Sequence, residues 1–145
     1  MKNNKQAFTL IELLVVIAII GILSTMAVVA LQGARAKARD AKRITDIRQM
    51  QTALELYFND WNSYPSAVTA GASIGTGSDI YMLTVPTGPT PADGDCVSSA
   101  YSYQQLSGGG SYYLQFCLSG NVGSLGSGIK CASPLGIIST STSCF

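Results

Sequence analysis

The sequence predicts an α+β fold: a long N-terminal α-helix, transmembrane and then amphipathic, packed on a small antiparallel β-sheet head with disulfide-closed loops. Three observations predict it. Residues 8–31, FTLIELLVVIAIIGILSTMAVVAL, form an almost uninterrupted apolar run, and the stretch from Gln32 to Asn62 contains no proline. In that second stretch apolar residues recur every three or four positions, the period of one helix face. From Tyr64 and Pro65 onward the composition changes abruptly, because all five prolines and all but two of the 15 glycines lie there. Helix is excluded over most of that region. The expected division is a leader at 1–7, a helix over 8–62 whose 8–31 part is transmembrane, and a globular β head over 63–145.

At about 1.5 Å per residue the apolar run spans about 36 Å as a helix, enough to cross a bilayer with modest tilt. Its one ionisable side chain is Glu12. A carboxylate inside hydrocarbon costs roughly 2.5 to 3.5 kcal/mol even on lenient scales, which makes Glu12 a candidate functional residue. The bland reading is a glutamate snorkelling to the headgroups from near a helix end. Ahead of the run lies a short basic leader, MKNNKQA. The run is too long for the apolar core of an ordinary secretory signal, although Ala34-Arg35-Ala36 fits the small-x-small pattern of such a cleavage site and leaves that reading open beside a plain uncleaved anchor.

The leader, the segment Phe8-Thr9-Leu10-Ile11-Glu12 and the run from Leu13 to Leu23 resemble the prepilin-type signal of type IV pilins and of their secretion-system relatives, the pseudopilins. The resemblance implies cleavage on the cytoplasmic side between Ala7 and Phe8 by a membrane prepilin peptidase, then N-methylation of Phe8. Glycine usually precedes the cut in that family; Ala7 is a departure that keeps a small residue there. Assembly is implied through Phe8 and Glu12, the carboxylate of one subunit neutralising the Phe8 amine of its neighbour. The implied partners are other pilin subunits in a homopolymer, the peptidase, an assembly platform with its motor, and the membrane. The implied location is the cytoplasmic membrane as a single-pass precursor, then a filament of the cell envelope or exterior.

In the second half of the helix, Ile44, Ile47, Met50, Leu54, Tyr57, Phe58 and Trp61 define the face expected to lie on the head. Many family members carry a proline in the first helix. This chain has none, so Gly21, Ser24, Thr25 and Gly33 are the candidate points of local melting when subunits pack, and a straighter helix is expected. From Arg35 to Arg48 six cations stand with only Asp40 and Asp46 among them. That stretch reads as a solvated or intersubunit face laced with Asp40, Asp46 and Glu55; nucleic acid or anionic lipid is the weaker reading, without an aromatic-lined groove.

In the head, residues 79–85 read as a first strand or an ordered loop segment, and residues 100–106 and 111–118 as a hairpin turning at Ser107 to Gly110. Tyr112, Leu114, Phe116 and Leu118 alternate with Tyr113, Gln115 and Cys117, so one face can pack on the helix. The C-terminal segment LGIISTSTSCF reads as a loop or an edge strand. A head of this size needs help with stability. All four cysteines lie in it, an even number that argues for disulfides, and four cysteines allow three pairings. Cys96 with Cys117 and Cys131 with Cys144 is the favoured set, the second resembling the C-terminal loop of many type IV pilins. The positive-inside rule, with more Lys and Arg after the apolar run than before it, would place the head in the cytoplasm. Cysteine usage and the resemblance place it outside, and they are given precedence.

Catalysis finds no support: the chain has no histidine, no phosphate-cradling glycine loop beside a lysine, and no cofactor motif. Zinc is disfavoured by the cysteine spacing. Asp93 and Asp95 fall short of the six to eight oxygens that calcium takes and read as solvated loop residues. The expected function is therefore that of a structural subunit of a type IV pilus-like filament. A pseudopilin of a type II secretion system is the alternative within the family. A monomeric membrane-anchored surface binding protein is the alternative of a different class.

Overall fold

The computed structural model of the chain describes residues 8–139, 143 and 144; the leader 1–7, with Ala7 at the expected cut, lies outside the described residues. One α-helix, α1, runs unbroken over Leu10–Trp61. It passes through Gly21, Ser24, Thr25 and Gly33 without interruption, and the Thr25 hydroxyl is satisfied by donating to the Ile22 carbonyl (2.8 Å). The absence of proline and the run of good helix formers allow this. It ends at Asn62, which adopts left-handed φ (50°) and donates its N–H to the Phe58 carbonyl (2.7 Å), a C-terminal cap, just before Tyr64-Pro65 bars continuation.

The chain forms two compact units, Met1–Arg35 and Ala36–Phe145. The first holds the apolar part of α1 and the second its amphipathic part with the head.

Among the described residues the head holds six strands: β1 Ile74–Thr76, β2 Asp79–Met82, β3 Ser102–Leu106, β4 Ser111–Leu118, β5 Gly128–Ser133 and β6 Gly136–Ser139. β1 and β2 make a small antiparallel hairpin, and β3-β4-β5-β6 an antiparallel sheet in chain order. A short 3₁₀ turn, Ser107–Gly109, joins β3 to β4 where the turn was expected. Two strands lie outside the sequence reading. β1 is three residues long, and β5, GIKCAS, carries a lysine and small residues that hide its period. The C-terminal segment supplies the edge strand β6.

Strand β4 alternates as its sequence requires. Tyr112, Leu114, Phe116 and Leu118 are buried against Ile47, Met50, Ala53 and Leu54 of α1, with Ala132, Tyr64, Ile74 and Val85 completing the core. Of the expected helix face, Ile44, Tyr57 and Phe58 pack at the periphery and Trp61 is half exposed. The helix exit is tied to the hairpin: Tyr64 N–H donates to Gly109 O (2.8 Å), Gln105 Nε2 to Tyr64 O (2.6 Å) and the Tyr103 hydroxyl to Pro65 O (2.6 Å).

The cysteines pair Cys96 with Cys117 and Cys131 with Cys144. Cys117 alternates with the buried residues of β4, and Cys131 stands opposite Gln115 in the register, so both bridges leave from the sheet face turned away from α1. On the helix-facing side, opposite Phe116, the buried Lys130 curls its ammonium onto the carbonyls of Ser127 (2.7 Å), Ile129 (3.1 Å) and Gly128 (3.3 Å). Burial lowers its pKa.

Tyr112 is fully buried, yet its hydroxyl has no hydrogen-bond partner among the described residues. Neighbouring Gln51, which faces that hydroxyl at less than ideal geometry, donates its amide to the Ser133 carbonyl (2.9 Å). Tyr112→Phe removes an unsatisfied polar atom and keeps the ring contacts with Tyr64 and Tyr103. The variant is expected to match or exceed wild-type stability, by up to about 1 kcal/mol, in thermal unfolding.

Candidate functional site

The start of α1 is built by Thr9 and Glu12. The Thr9 N–H donates to Glu12 Oε2 (2.9 Å), the Thr9 hydroxyl donates to the same oxygen (2.8 Å), and the Glu12 N–H donates to Thr9 Oγ1 (3.3 Å). This is a capping box, in which an N-terminal Thr and a Glu three residues on satisfy each other's orphan donors. The signal, Thr-x-x-Glu ahead of an apolar run, stood in the sequence and passed unread. Phe8 and Glu12, four apart, share one side of this end with Ile11, Val15 and Val16, around a shallow groove of about 420 Å³.

Throughout this unit the apolar side chains are bare. Phe8 is 84 % exposed, and every large hydrophobic side chain from Leu10 to Leu31 that the structure places is at least roughly half exposed. α1 is the one helix among the described residues long and apolar enough to cross a membrane. So much unpacked apolar surface marks a site that must be covered by lipid, by other chains, or by both.

At the other end of the cationic stretch, the expected solvated face is corrected. Asp40, Arg43 and Asp46 are buried, with Arg43 only 1 % exposed. Arg43 binds Asp40 (Nη1 to Oδ1, 2.5 Å) and Asp93 (Nη2 to Oδ1, 3.0 Å), and Arg39 grips the other Asp93 oxygen through Nε (3.0 Å) and Nη2 (2.5 Å). Asp40 also accepts from Ser119 N (2.9 Å), Ser119 Oγ (2.7 Å) and Gly120 N (2.9 Å). Lys42 pairs with Asp46 (2.7 Å), which also accepts the Tyr101 hydroxyl (2.9 Å). Gly94 makes the approach possible: at φ 59° a Cβ there would meet the Ser119 carbonyl at 2.3 Å.

Asp93 is thus no solvated loop residue. Two guanidiniums occupy its carboxylate, and no group of three His, Cys, Asp or Glu among the described residues is placed to hold a metal ion. The pairing also thins the supposed nucleic-acid face. Of its six cations, three are tied to carboxylates, which leaves Arg35, Lys37 and Arg48 without an ion pair among the described residues.

Burial works to raise the Asp93 pKa, but the hydrogen bonds from Arg39 and Arg43 outweigh it and hold the carboxyl below its ordinary value. Burial likewise opposes the charge of Arg43, and its two carboxylates win and raise its pKa. A folded pKa below the unfolded one gives stability that is complete above the unfolded value and is lost as pH falls through the folded one. Thermal melts of the head should therefore be flat from about pH 8 to about pH 5 and fall steeply below about pH 4.

An apolar helix opened by a Thr–Glu cap and long enough to cross a membrane continues into a disulfide-bearing α+β head, an architecture of the prepilin type. The chain belongs to the type IV pilin and pseudopilin family. Residues 2–28 match the family described as "Prokaryotic N-terminal methylation motif". The chain is similar to the "Type IV wide pilus major component PilA4" of Thermus thermophilus, 35% identical over 100 residues, 69% of this chain and 76% of that protein. It is also similar to "Type II secretion system core protein G" of Aeromonas hydrophila, 42% identical over 65 residues, 45% of this chain and 46% of that protein. For the protein of the same name in Vibrio cholerae the identity is 36% over 91 residues, 62% of this chain and 57% of that protein. The chain spans about half the length of these secretion relatives. No solved structure matches it at a significant level.

Proposed function

We propose that the chain is a structural subunit of a type IV pilus-like filament and that its function is polymerisation. It is inserted in the cytoplasmic membrane as a single-pass precursor with the head outside, cut between Ala7 and Phe8 by a prepilin peptidase, and N-methylated on Phe8. An assembly platform and its motor then draw it into a homopolymer through α1, and the Glu12 carboxylate of one subunit neutralises the Phe8 amine of the next. The observation that carries this reading is the bare apolar half of α1, whose one carboxylate lies beside Phe8.

The second reading, a subunit of a type II secretion pseudopilus, is favoured by the likeness of the N-terminal half to core protein G. Both readings share the processing chemistry. It is tested by intact mass and N-terminal peptide of the protein from native-host membranes and sheared surface material. The expected chain begins at methylated Phe8. A chain beginning at Met1 in the sheared fraction would overturn the processing and leave a plain anchored binding protein.

A further inference from the structure

Beside α1 lies a groove of about 350 Å³ walled by Ala41, Ile44, Val122 and Leu125. Its far wall is a tight turn, in which Val122 and Leu125 exchange backbone hydrogen bonds (2.8 and 3.0 Å). Arg48 stands at its rim, exposed and without an ion pair among the described residues. The head also carries a knob of opposite character. Val97 is 100 % exposed and Asp95, two residues earlier, is exposed and has no ion pair there either. Between them Cys96 is pinned by its bridge to Cys117 and by its N–H on the Asp93 carbonyl (3.2 Å). The other fully exposed large apolar side chain among the described residues, Leu135, lies between Pro134 and Gly136 with no charge beside it.

The knob lies on the sheet face turned away from α1, where Cys96 is bridged to Cys117 and Asp95 and Val97 line a hollow with Gln115 and Ile129, whereas the groove lies against α1. A patch on one side that complements a different patch on the other cannot close into a two-fold pair. It propagates head to tail from copy to copy.

We infer that the groove at Ile44, Arg48 and Leu125 receives the Asp95–Val97 knob of a second copy of this chain, with Val97 seated on the apolar wall and Asp95 paired with Arg48. The contact rests on the filament reading and adds to it a head-to-head seam. Charge complementarity selects the occupant, since Arg48 is the groove's one cation and Asp95 flanks the one fully exposed valine. Such a pair steers and registers subunits more than it binds them.

The test is a charge swap in the full chain in its native host, read as sheared filament. Arg48→Glu and Asp95→Arg are each expected to cut the yield at least about tenfold, because each sets like charges face to face. Combined, they should restore it to within about threefold. Neither residue has an ion pair within the described head, so the melting temperature should not move. A photocrosslinking residue at position 97 should join the peptide carrying Ile44 or Leu125 in another copy. Single variants with wild-type yield, a swap as poor as the singles, or crosslinks to another surface or another protein would each overturn the seam. Glu12→Gln separates the two levels. If it abolishes filaments while the Arg48 and Asp95 variants assemble normally, the filament reading stands and the seam falls; if the wild-type chain yields no filaments, both fall.

Discussion

Glu12→Gln is expected to abolish filament assembly while leaving the head as stable as wild type. The substitution is chosen because Glu12 does two separable things. Within its own chain it closes the capping box with Thr9, a role that glutamine at the same position also fills. Between chains its charge would answer the Phe8 amine, and glutamine cannot do that. Removing one partner of a buried ion pair typically costs about 3 to 5 kcal/mol, which lowers assembly at least about a hundredfold. Losing the cap costs about 1 kcal/mol, and it falls in a compact unit separate from the head's core. Sheared filament measured by immunoblot should therefore vanish in both Glu12→Gln and Glu12→Ala, with membrane-bound precursor undiminished. Normal assembly with glutamine and failure with alanine would assign Glu12 to capping and overturn the charge role.

Asp40→Asn should lower the melting temperature of the head by more than about 12 °C, a loss of about 3 to 5 kcal/mol. The replacement is nearly isosteric, so no cavity confuses the result. Asp40 receives four hydrogen bonds, from Arg43, the Ser119 hydroxyl and N–H, and the Gly120 N–H, at 2 % exposure. Asparagine turns one acceptor into a donor facing donors and leaves the buried Arg43 with Asp93 as its one carboxylate. Circular dichroism melts measure the loss. In a double-mutant cycle, Asp40→Asn combined with Arg43→Met should cost less than the two single changes added together, since the two residues form one network.

The long helix was legible because nothing in it contradicts helix: no proline before Pro65, and apolar residues at helical spacing in its second half. β4 was legible because eight residues alternate without a break. β5 was not, since Lys130 occupies a core-facing position that a sequence pattern assigns to solvent, and its ammonium is satisfied by local carbonyls that only the fold brings round. The charged stretch misled for a related reason. A helix with Arg39, Asp40, Arg43 and Asp46 reads as a wet surface, and what makes it dry is Asp93, fifty residues on in a loop that Gly94 allows to close. The region around Glu12 was half read: its apolar setting gave the residue away, while its fixed three-residue spacing from Thr9 passed unnoticed.

The two bridges on the sheet face away from α1 make the head a reporter of its own itinerary. Its core against the helix closes with apolar contacts and the buried Asp40–Arg43–Asp93 network, whereas the opposite face is fastened by sulfur bridges that form and persist in an oxidising compartment. Each chain thus carries a chemical stamp. Four alkylatable thiols would mark a head held in a reducing compartment, and none would mark one that has reached an oxidising one. Counting thiols by mass in the precursor pool would read orientation directly, chain by chain, where the arrangement of lysines and arginines argues one way and the cysteines the other.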